Sequence, residues 1–253
     1  MNQQFLTELK AVTAENRIFT DEPMKKHTTF RVGGPADILV QPKGTELAAV
    51  IRLCRKYDVP YQVIGNGSNL LVGDRGIRGL VIEMLSKEDE ICVEDDCITV
   101  GAGMLLSKTA NRAAEHGLTG MEFAAGIPGR IGGAVVMNAG AYGGEMKDIL
   151  TAVTVLDQEG NEKILSAEEL ELGYRTSCIL KKGYIVTGAK IKLKHGEETA
   201  IRARMEELKK QRVEKQPLEY PSAGSTFKRP EGYFAGKLIM DCLLYTSDAA
   251  DDR

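Results

Sequence analysis

The sequence predicts an α+β protein, and three observations carry the prediction. Helical and strand-like periodicities alternate along the chain. A strand–helix–strand unit near the N-terminus runs into a glycine loop. The second half then opens on a hairpin, with strand patterns at 152–156 and 162–165 flanking Asp157-Gln158-Glu159-Gly160-Asn161, a strong turn signal.

The elements follow in order. Residues 5–16 set Phe5, Leu9 and Val12 on one helical face. A loop leads to Ala36–Val40, a strand. An amphipathic helix spans 45–57, and its stripe Leu47, Val50, Ile51 continues through Cys54. Tyr61–Ile64 is a buried strand, with short strands at Leu70–Val72 and Gly79–Met84. A hairpin turns about Asp95-Asp96 between 90–94 and 97–101. A helix at 104–116 repeats Leu106, Thr109, Ala110 and Ala113 at helical spacing. After the hairpin at 157–161 come a short acidic helix at 167–173 and a long strand, Tyr184–Leu193. The charged helix at 197–213 turns Ile201, Met205 and Leu208 inward and stops at Gln216-Pro217. A last helix starts near 232–240.

Composition bounds the function. A chain of 253 residues, 43% hydrophobic and 27% charged, makes one or two folded domains and excludes collagen, coiled coil and wholesale disorder. A net charge of −3 gives no support to nucleic-acid binding. No apolar run approaches the roughly 18–20 residues that cross a bilayer. Met1-Asn2-Gln3-Gln4 lacks a basic-then-apolar leader. Five cysteines without a CxxC pair read as free thiols of the reducing cytoplasm. Cys92 and Cys97 face each other in only one hairpin register. His27, His116 and His195 are scattered, so no metal site is expected.

The 27 glycines are more informative, because they cluster in two loops. Gly65-Asn66-Gly67-Ser68-Asn69 directly follows a strand. Its glycines admit close backbone approach, and its N–H groups can form an anion nest. It is neither GxGxxG, since Leu70 holds the sixth position, nor a Walker loop, which needs Gly-Lys-Ser/Thr. The second loop, Gly126-Ile127-Pro128-Gly129, turns into a short helix over 130–137, with Gly132-Gly133 in its first turn. Helix N-termini suit phosphate. A small-residue packing motif is the competing reading of this stretch.

These blocks, in this order, resemble the UDP-N-acetylenolpyruvoylglucosamine reductase family. They comprise Thr29 through Asp37, Gly65 through Asn69, Gly126 through Gly143, Gly173-Tyr174-Arg175-Thr176-Ser177 and Pro221 through Lys228. The compact connection between Tyr142 and Thr151 resembles the shorter class. The resemblance implies an FAD-binding domain of the vanillyl-alcohol-oxidase (p-cresol methylhydroxylase) type and a smaller α+β substrate domain. It divides the chain into an FAD region at 1–195, itself two subdomains split near 75, and a partial substrate domain at 196–241. It implies FAD, with NADPH as co-substrate, and UDP-N-acetylglucosamine enolpyruvate as the molecule reduced in peptidoglycan-precursor synthesis. Gly65, Asn66, Gly67, Ser68 and Asn69, with Gly126, Pro128, Gly129, Gly132, Gly133, Ala134, Met137 and Asn138, would then hold the cofactor. Arg175 would stabilise the enolate-like charge beside the substrate carboxylate. Ser225 would supply the proton. Tyr174 and Lys215 would contact substrate.

One departure stands out. The family continues beyond the equivalent of Asp241 and supplies a catalytic glutamate there, whereas the last Glu of this sequence is Glu231. Residues 242–253 do not resemble that continuation and are expected to be a non-native tail, and without the glutamate FAD binding is expected to be retained more readily than turnover. Two other functions stay open: another FAD oxidoreductase of the same fold, and a flavin-binding fragment without chemistry.

Overall fold

The computed structural model describes residues 3–86, 91–228 and 230–242. All of the expected tail except Cys242 therefore lies outside the described residues. The first layer contains α1 (Gln3–Val12), β1 (Ile18–Pro23), β2 (Pro35–Val40), α2 (Glu46–Lys56), β3 (Tyr61–Ile64) and β4 (Ile77–Glu83). Its sheet order is β1-β2-β4-β3, with β2, β4 and β3 parallel and β1 antiparallel at the edge. The chain leaves β2, crosses through α2 and returns as β3 with one place open between them, which β4 fills. The stripe Leu47, Val50, Ile51, Cys54 is buried, and it packs with Phe5 and Leu9 of α1 against Ile38, Val40, Leu80 and Ile82. Burial pushes the Cys54 thiol up to about 12, so it behaves as a small apolar side chain.

The second layer contains β5 (Ile91–Glu94), β6 (Cys97–Gly101), α3 (Leu106–Glu115), β7 (Leu118–Thr119), α4 (Ile131–Val136), β8 (Gly140–Ala141), β9 (Gly144–Glu145), β10 (Leu150–Leu156), β11 (Glu162–Ser166), α5 (Cys178–Lys182), β12 (Ile185–Lys192) and β13 (Lys194–His195). Its five-stranded sheet, β11-β10-β12-β6-β5, is antiparallel throughout. Ile98, Val100, Val153, Val155, Ala189 and Ile191 bury one face of it beneath α3 and α4. Leu156 and Ile185 instead enter the first layer's core, so the two layers share apolar contacts. The chain then runs on as α6 (Glu198–Lys215) and α7 (Ala235–Asp241). Ile201 and Leu208 of α6 are buried. Among the described residues, no helix is long and apolar enough to cross a membrane.

Several expectations are corrected. β4 belongs to the first sheet, so the change of sheet falls between Glu83 and Ile91, past the division expected near 75. Residues 18–23, read as loop, form edge strand β1. Asp21 at φ 54 interrupts its alternation, and Pro23 closes a position that only an edge tolerates. Leu70–Val72 is irregular rather than a strand, with Leu71 exposed and Val72 packed against Gly33. The acidic stretch at 167–173 forms turns, because Glu171 adopts φ 48, a conformation no α-helix accommodates. In the β5–β6 hairpin Cys92 pairs with Thr99 and Cys97 with Glu94, so the two thiols do not face each other.

Candidate active site

The two glycine loops meet. The first leaves β3 at Ile64, and the second leads into α4. Asn66 Nδ2 donates to the Pro128 carbonyl at 2.9 Å, and Gly65 lies so close to Arg130 that a Cβ there would sit 3.2 Å from the arginine's own Cβ. Gly67 is the sharpest case. At φ +57, an added Cβ would fall 2.1 Å from the His27 carbonyl oxygen and 2.8 Å from Thr28 Cα. Only glycine lets this loop lie on the 27–29 segment, where Thr29 N–H donates to the Gly67 carbonyl. The backbone N–H groups of Asn66, Gly67, Ser68 and Asn69 donate to no other described residue. A run of uncommitted amides is the donor set an anion nest requires.

The glycine pair in α4 divides its work. An added Cβ on Gly132 would press to 3.1 Å on Ala102 Cβ, and Gly132 N–H donates to the Ala102 carbonyl, so this glycine serves packing. A Cβ on Gly133 would meet nothing within 4 Å. Gly133 therefore presents bare backbone to open space, as approach of a flat ring demands. Ala134 is buried in the core, and Met137 ends the helix half-buried. The Gly126 carbonyl accepts from Arg212 Nη1, which ties α6 to the second loop.

Asn138 points inward. It is buried at φ 40, its Nδ2 donates to Glu145 at 2.6 Å and to the Gly173 carbonyl at 3.2 Å, and its Oδ1 accepts from Lys147 N–H. Its side chain holds a turn. That turn runs from Gly173 to Thr176, closed by reciprocal backbone bonds, with Tyr174 and Arg175 at its tip and Arg175 at φ 56. Ser177, fully buried, donates to the Val136 carbonyl at 2.7 Å. Asn138 and Ser177 together mount the turn on the end of α4. Sequence reading gave Ser177 no role; its signal was a polar residue two positions past an exposed tip.

The 221–228 loop closes over the first glycine loop. Thr29 Oγ1 donates to the Ser222 carbonyl at 2.6 Å, and Ser222 N–H donates to the Thr29 carbonyl. A Cβ on Gly224 would lie 3.8 Å from the Ser68 carbonyl oxygen. Ser225 is exposed, its hydroxyl donating to the Phe227 carbonyl at 3.1 Å. Lys228 Nζ stands 5.8 Å from the centre of the Tyr174 ring, and Arg175 Cζ stands 5.5 Å from the same centre. The turn carrying Arg175 and the loop carrying Ser225 thus meet at one tyrosine. Lys215 is exposed on the last turn of α6, and the structure brings it to none of these residues.

Beneath the loops lies a charged cluster that periodicity did not reveal. Both His27 ring nitrogens face carboxylates at 3.1 Å, Nδ1 toward Glu83 and Nε2 toward Glu22. Gln41 Nε2 also donates to Glu83 at 2.7 Å. The Glu83 hydrogen bond raises the His27 pKa against burial, and the bond to Glu22 adds to it. Burial opposes ionisation of Glu83, yet bonds from His27 and Gln41 and the Arg130 charge hold its carboxyl below the usual range. Burial lowers the Arg130 pKa, partly offset by the Glu83 charge. The Arg130 guanidinium donates to the Gly103 carbonyl, while its buried Nε has no partner. A partly buried cation beside uncommitted amides and an open glycine suits an FAD diphosphate.

Comparisons with known proteins bear on the family and the fold. Residues 36–166 match a family model described as FAD binding domain. Residues 216–248 match one described as UDP-N-acetylenolpyruvoylglucosamine reductase, C-terminal domain, a match that extends past Asp241. A UDP-N-acetylenolpyruvoylglucosamine reductase of Agathobacter rectalis is 54% identical over 95% of this chain and 81% of its own length. The crystal structure of the Thermus caldophilus enzyme of that name superposes with a TM-score of 0.75 at 41% identity, covering 88% of this chain and 79% of that one. Substrate-bound p-cresol methylhydroxylase, 15% identical with a TM-score of 0.55 over 78% of this chain and 44% of its own, shares the fold. The chain has the fold that the sequence resemblance implied, and it belongs to the UDP-N-acetylenolpyruvoylglucosamine reductase family.

Proposed function

We propose that this chain reduces UDP-N-acetylglucosamine enolpyruvate to UDP-N-acetylmuramate in the cytoplasmic stage of peptidoglycan-precursor synthesis, with NADPH as reductant. The observation that carries the reading is the convergence, in a member of this family, of two glycine loops, the Tyr174–Arg175 tip and the Ser225 loop on one face. FAD, when bound, supplies the two-electron relay between nicotinamide and substrate. The net change adds hydride to the β-carbon of the enol ether and a proton to the α-carbon, while NADPH becomes NADP+. The amides of residues 66–69 and the Arg130 guanidinium hold the diphosphate, and Gly133 leaves room for the ring system. Arg175 grips the substrate carboxylate, where negative charge grows as hydride adds; a fixed cation there lowers the barrier. Ser225 releases its bond to the Phe227 carbonyl and gives its proton to the α-carbon, and the resulting alkoxide regains a proton from solvent. Tyr174 and Lys215 contact the substrate, and residues 196–241 form part of the domain that binds it.

The test follows NADPH consumption by the FAD-loaded protein with and without the enolpyruvyl substrate, and identifies the product by mass. Consumption that depends on substrate and yields UDP-N-acetylmuramate is expected; its absence would overturn the reading. Arg175→Ala is expected to lower turnover about 100- to 1000-fold with FAD content unchanged. Ser225→Ala is expected to lower it by a similar factor, about 100-fold or more.

A further inference from the structure

We infer that Lys228 is a second cation for the substrate carboxylate, working with Arg175 across the Tyr174 ring. This rests on the function proposed above. Separate segments bring the two cations to one tyrosine, at 5.5 Å for Arg175 and 5.8 Å for Lys228. A cation–ring contact at an exposed site is only a weak attraction. That is little against the mutual repulsion of two like charges sharing one ring.

Among the described residues, neither Arg175 nor Lys228 has a carboxylate within ion-pair distance. Nearby Lys181, by contrast, pairs with Glu171 at 2.7 Å. Two uncompensated cations suit an anion that offers an oxygen to each, which is the geometry of a carboxylate between a guanidinium fork and an ammonium.

Position selects the carboxylate over the substrate's diphosphate. Lys228 stands three residues after Ser225 in the same loop. The atom that Ser225 protonates is the α-carbon, and the carboxylate is bonded directly to that carbon. The diphosphate is many bonds away. A cation tethered to the proton donor therefore reaches the carboxylate first. Its charge also counters the negative charge that hydride addition develops there.

Calorimetric titration of the FAD-loaded protein tests this with two ligands, UDP-N-acetylglucosamine enolpyruvate and UDP-N-acetylglucosamine, which lacks the carboxylate. Lys228→Met is expected to weaken the enolpyruvate about tenfold or more, the scale of one charge-assisted hydrogen bond. It should leave UDP-N-acetylglucosamine unchanged, and Lys228→Arg should restore most of the loss. Equal weakening of both ligands would assign Lys228 to the diphosphate and overturn the inference. If Arg175→Ala weakens the enolpyruvate and Lys228→Met does not, the Lys228 assignment alone falls. If the wild-type protein does not bind the enolpyruvate, the functional reading falls and takes this one with it.

Discussion

The two halves of the proposed site, one assigned to the cofactor and one to the substrate, are built on opposite principles. On the cofactor side, backbone does the work: Gly67 rests on the 27–29 segment, Asn66 bonds the second loop, and Arg130 packs against Gly65 above a buried charged cluster. On the substrate side, side chains do the work. Tyr174, Arg175, Ser225 and Lys228 are all exposed, on a turn and a loop held by a few bonds from behind. A backbone cradle must be rigid because its donors cannot reorient. Long side chains on exposed tips can move to admit and release a substrate. Damage on the cofactor side should therefore appear as lost folding or lost FAD, and damage on the substrate side as lost turnover with FAD in place.

The largest effect is expected at Gly67. Gly67→Ala combines a left-handed backbone with a Cβ 2.1 Å from the His27 carbonyl oxygen. Strain and overpacking together cost about 3 kcal/mol or more, so thermal melting should show a large loss of stability and the purified protein should lack flavin. Retention of wild-type stability and flavin would refute the account of this loop.

Asn138→Ala probes the seam between the halves. It strips the Gly173 carbonyl and Lys147 N–H of their side-chain partner inside a buried site. The cost is about 1–3 kcal/mol in chemical denaturation. Turnover should fall further than FAD affinity, because the Arg175 turn loosens while the cradle stays bonded through Asn66. A fall in FAD affinity with turnover intact would return Asn138 to the cofactor side, where sequence reading put it.

Gly133→Ala sharpens the contrast most cleanly. In a helix, alanine is favoured over glycine by about 1 kcal/mol, and here the new methyl meets open space. The apoprotein should melt at the same temperature or higher, while FAD affinity falls. Unchanged affinity would show that Gly133 does not face the cofactor. Gly132→Ala should do the reverse and destabilise the apoprotein, since its Cβ presses on Ala102.

How much of this was legible in the sequence depends on the range of the forces involved. Helix α2 and strand β3 declare themselves in their own periodicity, because burial of Leu47, Val50, Ile51 and Cys54 is a local pattern. The glycine loops were visible as composition. The division between Gly132 and Gly133 was not, because it depends on Ala102, thirty residues earlier. β1 escaped notice because its edge position excuses Asp21 and Pro23, residues that otherwise argue against a strand. Asn138 was read toward the cofactor because its motif is contiguous with the glycines. Its partners, Glu145, Lys147 and Gly173, become visible only when the chain folds back. The His27–Glu22–Glu83–Gln41 cluster draws on four separate segments and leaves no pattern in any of them.

That cluster yields the smallest expected effect, and its sign is set by the geometry. Both nitrogens of His27 face carboxylate oxygens, so only the doubly protonated ring donates to both. Folding thus raises the His27 pKa above its unfolded value of about 6.5. A raised pKa means that the folded state binds the proton more tightly. The stabilisation is complete below the unfolded value and is lost as pH rises through the folded one. Unfolding free energy should therefore decline as pH rises above about 6.5, as one His27 nitrogen turns a lone pair toward a carboxylate. Urea denaturation across that range should show the slope in the wild-type protein and its absence in His27→Gln, which titrates nowhere in the range. Because the His27 carbonyl supports Gly67, FAD affinity should weaken over the same interval. A parallel slope in both proteins would place the titration elsewhere and separate the charged cluster from the cradle above it.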